Sequence, residues 1–277
     1  MVTVEIAPEA MRRLLVHEAQ VHAVPGRRLR DLGDSVLLSD PIDPEPFWNR
    51  LAAVRWPSDP DAFDRRLTEI LVLFASMARQ PHIWPAPMHD TPADLIARLT
   101  ANGFRDTGPG LVMVLADPSG LDNSPPASLP PGVTVERVAD LHGSSAHERS
   151  GEIVAVLADA FDIVPGRQAA VEAETTASLG HGWFTHYLVR YQGEPAAVAR
   201  RASFDNVSYL SSIGSAGWAR GRGYGRIATA AAARDALGAG SEWTYLGVFA
   251  DNVPAIRLYE GIGFHRVGDA SPDLLLM

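Results

Sequence analysis

The chain has 277 residues, of which 46% are apolar, carries a formal net charge of −9 and contains no cysteine. That length suits two domains of about 100–150 residues, each able to bury a core. Without cysteine there can be no disulfide, thiolate metal site or cysteine nucleophile, and the acidic balance argues against nucleic acid as a partner.

Apolar spacing predicts helices at residues 8–24 and 60–78 and strands at 34–38 and 82–85. The acidic group Asp59, Asp61 and Asp64 reads as a helix start with a solvated face. Thr91 is placed to cap a helix opened by Pro92, which ends at Asn102-Gly103-Phe104 before a strand at 111–115. Residues 118–132 are rich in Pro, Ser and Gly and read as a linker between domains 1–117 and 133–277. Beyond it come a strand at 133–138 and helices at 150–161 and 166–179. Strands at 185–191 and 195–204 form a hairpin turning at Gln192-Gly193-Glu194, and a strand at 207–215 follows. An Ala-rich helix at 226–237, a strand at 243–249, a helix at 253–260 capped by Asn252, and strands at 264–267 and 274–277 complete the order. Gly103-Phe104 and Gly263-Phe264 both end short helices, at an offset of 264 − 104 = 160, which suggests a weak internal repeat. The N-terminus lacks the features of a signal peptide, and the longest apolar run, near 70–78, is too short for a membrane span. A cytoplasmic protein without a membrane partner is therefore expected.

The run Arg220-Gly221-Arg222-Gly223-Tyr224-Gly225 lies between a predicted strand and a predicted helix. Glycines admit positive φ and close approach of a ligand, and a helix N-terminus offers unpaired N–H groups to an anion. The spacing fits neither the dinucleotide loop, since Arg226 stands where a third glycine belongs, nor the triphosphate loop, which needs Lys-Ser/Thr. On these residues alone a solvated glycine turn competes with an anion site. His147-Glu148 does not continue into a zinc pattern, and no Gly-x-Ser-x-Gly elbow occurs.

Arg220-x-x-Gly223-x-Gly225 resembles the pyrophosphate signature of the GNAT superfamily of acetyl-CoA-dependent N-acetyltransferases. Downstream, Asn252-Val253-Pro254-Ala255 with Leu258-Tyr259-Glu260-Gly261-Ile262-Gly263-Phe264 resembles a second segment of that family. The segment Ser215-Ala216-Gly217-Trp218-Ala219-Arg220 departs from it, with Gly217 where relatives often carry proline. The resemblance covers about residues 133–277 and implies a mixed α/β fold of two GNAT-like domains, each a mostly antiparallel mixed sheet flanked by helices. The N-terminal copy is read as degenerate. The offset places Arg220–Gly225 on residues 60–65, which contain no glycine, and Tyr259 on Leu99.

The resemblance also implies direct acetyl transfer from acetyl-CoA to a primary amine of a small molecule or peptide, with no metal. Strands 207–215 and 243–249 would splay to admit the pantetheine arm, held by the N–H groups of Ser215, Ala216 and Gly217. Arg220, Gly221, Arg222, Gly223, Tyr224 and Gly225 would hold the pyrophosphate, Asn252 would touch the arm, and Tyr259 would protonate the leaving thiolate. Strand 207–215 carries no carboxylate, so the base stays open among Glu172, Glu174, His181, His186 and water. A non-catalytic acyl-CoA-binding module is the alternative, and either a monomer or a homodimer fits.

Overall fold

The computed structural model describes residues 3–24, 26–86, 89–122 and 129–277. In chain order the first elements are β1 (Thr3–Val4), α1 (Pro8–Ala23), β2 (Arg28–Asp31), β3 (Val36–Ser39), β4 (Arg50–Ala52), α2 (Pro60–Ser76) and β5 (His82–Ile83). Then come α3 (Leu95–Ala101), β6 (Phe104–Asp106), β7 (Gly110–Leu115) and α4 (Ser119–Asp122). The remainder is β8 (Val133–Val138), α5 (Gly143–Ala160), α6 (Pro165–Leu179), β9 (Phe184–Tyr191), β10 (Glu194–Phe204), β11 (Val207–Ser215), α7 (Tyr224–Gly238), β12 (Trp243–Phe249), α8 (Val253–Glu260), β13 (Phe264–Val267) and β14 (Leu274–Leu276). Among the described residues no helix is long and apolar enough to cross a membrane.

The elements form two mixed sheets flanked by helices, ordered β1-β13-β7-β12-β11-β10-β9-β8 and β2-β3-β4-β5-β14-β6. Each sheet anchors one compact unit, and the units do not follow a linear division into 1–117 and 133–277. β7 lies in the eight-stranded sheet, paired with β13 from Leu115↔Phe264 to Met113↔Arg266. β14, at the other end of the sequence, lies in the six-stranded sheet between β5 and β6, through Leu274↔Ile83 and Leu274↔Asp106. The linear division is corrected accordingly, because a strand belongs to the sheet edges its backbone completes. Of the expected linker, residues 123–128 lie outside the described residues, while Ser119–Asp122 are helical and Leu121 is buried.

In the eight-stranded sheet β8 to β11 run antiparallel, and β11 then pairs parallel with β12. A Cβ at Gly214 would meet the Cβ of Ala160 on α5, whereas Ser215 Oγ lies against Gly225 on α7. Adjacent strand residues face opposite ways, so α5 and α7 cover opposite faces. The α5 face holds a core of Ile153, Val156, Leu157, Leu188 and Val198. On the other face the alanines of α7, from Ala228 to Ala236, are buried, and their small side chains let the helix lie close to the sheet.

In the second unit Trp56, Phe63, Ile70, Phe74, Leu99 and Phe104 fill the core with Leu274. β1, β2, β4 and β6 were not expected from the sequence. They are two to four residues long, too short for an alternating pattern to register. α5 begins seven residues before its expected start, since its first turns are polar and exposed. Thr91 does not cap a helix. α3 begins at Leu95, and the backbone of Thr91 pairs instead with Val54 and Trp56. The Gly-Phe repeat has a common cause. Gly103 (φ 94°) and Gly263 (φ 110°) both turn a helix into a strand, and the following phenylalanines are fully buried.

Candidate active site

β11 and β12 stay in register only from Val207↔Trp243 to Leu210↔Leu246. β11 then runs on to Ser215 and β12 to Phe249, so the strands part at Ser211 and leave an opening in the sheet. β11 is also bulged at this point. Its register with β10 passes from Arg200↔Ser211 to Val198↔Gly214, setting Ser212 and Ile213 against Ala199 alone. Ser212 takes a positive φ of 48°. A bulge leaves its extra residue outside the ladder and re-aims the local backbone.

The glycine turn follows directly. Gly223, at φ 82°, is the N-cap of α7, a conformation that glycine adopts without strain. The first backbone bond of α7 runs from the Ile227 N–H to the Gly223 carbonyl. The N–H groups of Tyr224, Gly225 and Arg226 therefore precede the helical ladder, at the positive end of the helix. α7 starts two residues earlier than expected, which places Tyr224 and Gly225 in its first turn. The Tyr224 ring is buried and stacks on Tyr191 at 5.9 Å, so this residue offers the site its backbone and not its side chain. A Cβ at Gly225 would lie 3.1 Å from Ser215 Oγ, so glycine lets the helix start lie this close to β11 without displacing the serine. Arg220 and Arg222 are exposed beside the turn. Arg220 donates to the Asp159 carbonyl, and the Arg222 guanidinium lies 5.8 Å from the centre of the Trp218 ring.

Two of the three N–H groups expected to hold a pantetheine arm have partners within the chain. The Ala216 N–H donates to the Ala196 carbonyl (2.9 Å), and the Gly217 N–H donates to the Asp159 carboxylate at the end of α5. Asn252 caps α8, its side chain accepting from the Ala255 N–H at 3.2 Å. Tyr259 lies on α8, is 6% exposed, and meets Phe264 edge-on at 6.3 Å. Among the described residues no hydrogen bond reaches its hydroxyl, and burial pushes its pKa up, so it stays protonated.

The candidate bases separate clearly. Glu172 pairs with His147 at 3.1 Å, and His181 accepts from the Trp183 N–H at 3.3 Å. His186 is buried, its Nε2 bonded to Ser178 Oγ at 2.8 Å, and burial followed by the charge of Arg200 lowers its pKa to about 3. Glu174 pairs with Arg200 at 3.2 Å, and Arg200 in turn reaches Ser211 at the mouth of the opening. The reading of the sequence passed over Asp159, Arg200 and the bulge. An arginine inside the apolar run Ala196-Ala197-Val198-Ala199-Arg200 was the one available signal.

The six-stranded unit also holds a parallel strand pair followed by a residue of positive φ. β4 and β5 pair parallel through Leu51↔Ile83, and Ala53 after β4 has positive φ (55°), as Ser212 does in β11. Beyond that point the Trp56 N–H donates to the Thr91 carbonyl and the Thr91 N–H to the Val54 carbonyl, each at 3.0 Å. The chain thus pairs with itself beyond β4 and leaves no opening there. The carboxyl group of Asp90 accepts from the Ala86 N–H at 2.7 Å. At the N-cap of α2, where α7 has Gly223, Asp59 accepts from the Ala62 N–H at 2.9 Å and so supplies its own anion. Calorimetry on the full chain should accordingly give one acetyl-CoA per chain, and a stoichiometry of two would contradict the closed unit.

Burial of Asp90 pushes its carboxyl up to about 7, against 3.8 when free. The folded state then holds a proton that the unfolded chain gives up. The stability this confers is complete below about pH 4 and is lost as pH rises toward 7, by at most on the order of 4 kcal/mol. Asp90→Asn should flatten this slope in denaturant titrations at pH 4, 5.5 and 7. An unchanged wild-type slope in the variant would remove Asp90 as its source.

Residues 152–264 match the Acetyltransferase (GNAT) family. No curated protein matches the chain. The chain is similar in fold to a GCN5-related N-acetyltransferase from Kribbella flavida, with a TM-score of 0.69, 22% identity, and 99% of this chain and 96% of that one covered. It is similar also to a tandem GNAT protein from the clavulanic acid biosynthesis pathway, with a TM-score of 0.61 and 15% identity over 98% and 96% of the two chains. A GCN5-related N-acetyltransferase from Sphaerobacter thermophilus gives a TM-score of 0.58 at 17% identity over 89% and 81%. The family match thus falls on the residues that carry the parted strands and the glycine turn, and over nearly its whole length the chain shares the fold of these proteins.

Proposed function

We propose that the eight-stranded unit transfers an acetyl group from acetyl-CoA directly to a primary amine of a small molecule or peptide. The observation that carries this reading is the meeting of the β11–β12 opening with the N-terminus of α7 across the Gly221–Gly225 turn. An extended pantetheine arm fits between the parted strands, and a pyrophosphate fits the first turn of α7 at Tyr224 and Gly225, with Arg220 and Arg222 beside it. Because Ala216 and Gly217 already have partners, the bulge at Ser212–Ile213 is assigned the acyl carbonyl, where its N–H groups would stabilise the developing oxyanion. Tyr259 stays protonated and supplies the proton to the departing thiolate, while the proton shed by the amine nitrogen passes to water, from which the tyrosine is reprotonated. The amine gains chiefly from being held beside the thioester, with no covalent enzyme intermediate. A cytoplasmic setting and a soluble amine fit this reading.

The absence of a carboxylate on β11 favours a second reading, an acyl-CoA-binding module without turnover. Thiol release from acetyl-CoA, measured against a panel of polyamines, amino sugars and peptides with free amines, separates the two. Turnover with any acceptor supports transfer, and binding without turnover across the panel supports the second reading.

A further inference from the structure

β10 carries a charge on a face that is otherwise core. Val198 packs against α5 and α6, and Arg200, two residues further on, faces the same way and is 4% exposed. A buried guanidinium is costly unless its donors are met, and an apolar residue of similar volume would pack there without that cost. The donors of Arg200 are directed with purpose. Its Nε donates to Ser211 Oγ at 3.0 Å, and its Nη1 donates to Glu174 Oε1 on α6 at 3.2 Å. The Phe184 ring lies 5.3 Å from the guanidinium. His186, beside Arg200 in register on β9, is held neutral by burial and adds no second cation.

Ser211 is the residue that matters. It is in register with Arg200 immediately before the bulge, and it is the first residue of β11 beyond its last pair with β12. On one side its strand has lost the parallel neighbour, and on the other the ladder is interrupted by Ser212 and Ile213. The direction of the bulge N–H groups therefore depends on what holds Ser211. We propose that Arg200, braced by Glu174, is a positioning residue that fixes Ser211 and thereby aims the bulge N–H groups at the acyl carbonyl. This inference rests on the reading given above, in which the bulge faces the acetyl group.

The test reads the carbonyl itself. Acetyl-CoA labelled with carbon-13 at the acetyl carbonyl is bound to the full chain, and its stretching frequency is measured by difference infrared spectroscopy. Wild type should give a lower frequency than Ser211→Ala and Arg200→Lys, and Ser211→Thr, which keeps the hydroxyl, should return the wild-type value. Turnover with an acceptor found in the amine panel should fall about tenfold in Ser211→Ala, with the Kd for acetyl-CoA unchanged. A purely structural brace would lower the melting temperature and leave the frequency where it was. Wild-type frequency in both weakened variants overturns this inference alone. Failure of wild type to bind acetyl-CoA overturns the parent reading, and this inference with it.

Discussion

Tyr259→Phe should lower kcat and kcat/KM together by about 10²-fold while leaving the Kd for acetyl-CoA and the melting temperature nearly unchanged. The hydroxyl has no hydrogen bond to lose among the described residues, and the ring keeps its contact with Phe264. Its proposed work comes late, when thiolate charge develops, and an interaction made only in the transition state lowers both constants equally. General acid catalysis supplies roughly 10²–10⁴-fold, and the low end is expected because a thiol is a good leaving group and water can partly replace the donor. The high pKa of the buried hydroxyl adds a second expectation, that it stays protonated and imposes no alkaline fall in kcat through neutral pH. Steady-state kinetics, cofactor titration and a melting curve on this one variant decide the matter. Unchanged kcat would remove Tyr259 from the chemistry, and a large drop in melting temperature would make it a core residue.

Gly223→Asp should abolish the stabilisation that acetyl-CoA gives wild type, which is about 2.7 kcal/mol at a hundredfold excess over Kd. No atom lies within 4 Å of a Cβ built at Gly223, so the new side chain enters open space and the fold should survive. A non-glycine residue at φ 82° costs about 1–2 kcal/mol at most, and aspartate tolerates that region better than most. The carboxylate would then stand at the N-terminus of α7, as Asp59 stands at that of α2, and would compete with a pyrophosphate for the same N–H groups. Gly223→Ala is the control. It shares the backbone strain without the charge and should weaken binding less. A thermal-shift series with acetyl-CoA on the three proteins reads out both effects. If Gly223→Asp is stabilised as fully as wild type, the pyrophosphate has been placed at the wrong turn.

What was legible in the sequence was local. The glycine turn announces itself because positive φ and close packing each demand glycine, at Gly223 and Gly225 in particular. The long helices α1 and α2 have apolar spacing that repeats over several turns, and Asn252 and Pro254 mark the start of the short α8 chemically. Whether the N–H groups of Ala216 and Gly217 have partners depends on Ala196 and Asp159, residues distant in sequence. Tyr224 lies in the motif, yet its ring turns inward to Tyr191.

The sequence by itself determined the glycine turn, the order of the main elements, and the lack of any glycine between Gly33 and Gly103. These follow from backbone conformational limits and side-chain periodicity, which act over a few residues. Only the tertiary structure decided where β7 and β14 belong, because strand partners are chosen by the backbone edge they satisfy. The bulge in β11, the clamp from Glu174 through Arg200 to Ser211, and the pairing of Thr91 with Val54 and Trp56 are likewise tertiary. Each joins groups from separate strands and helices, and hydrogen bonding across such distances leaves no periodic trace in the chain.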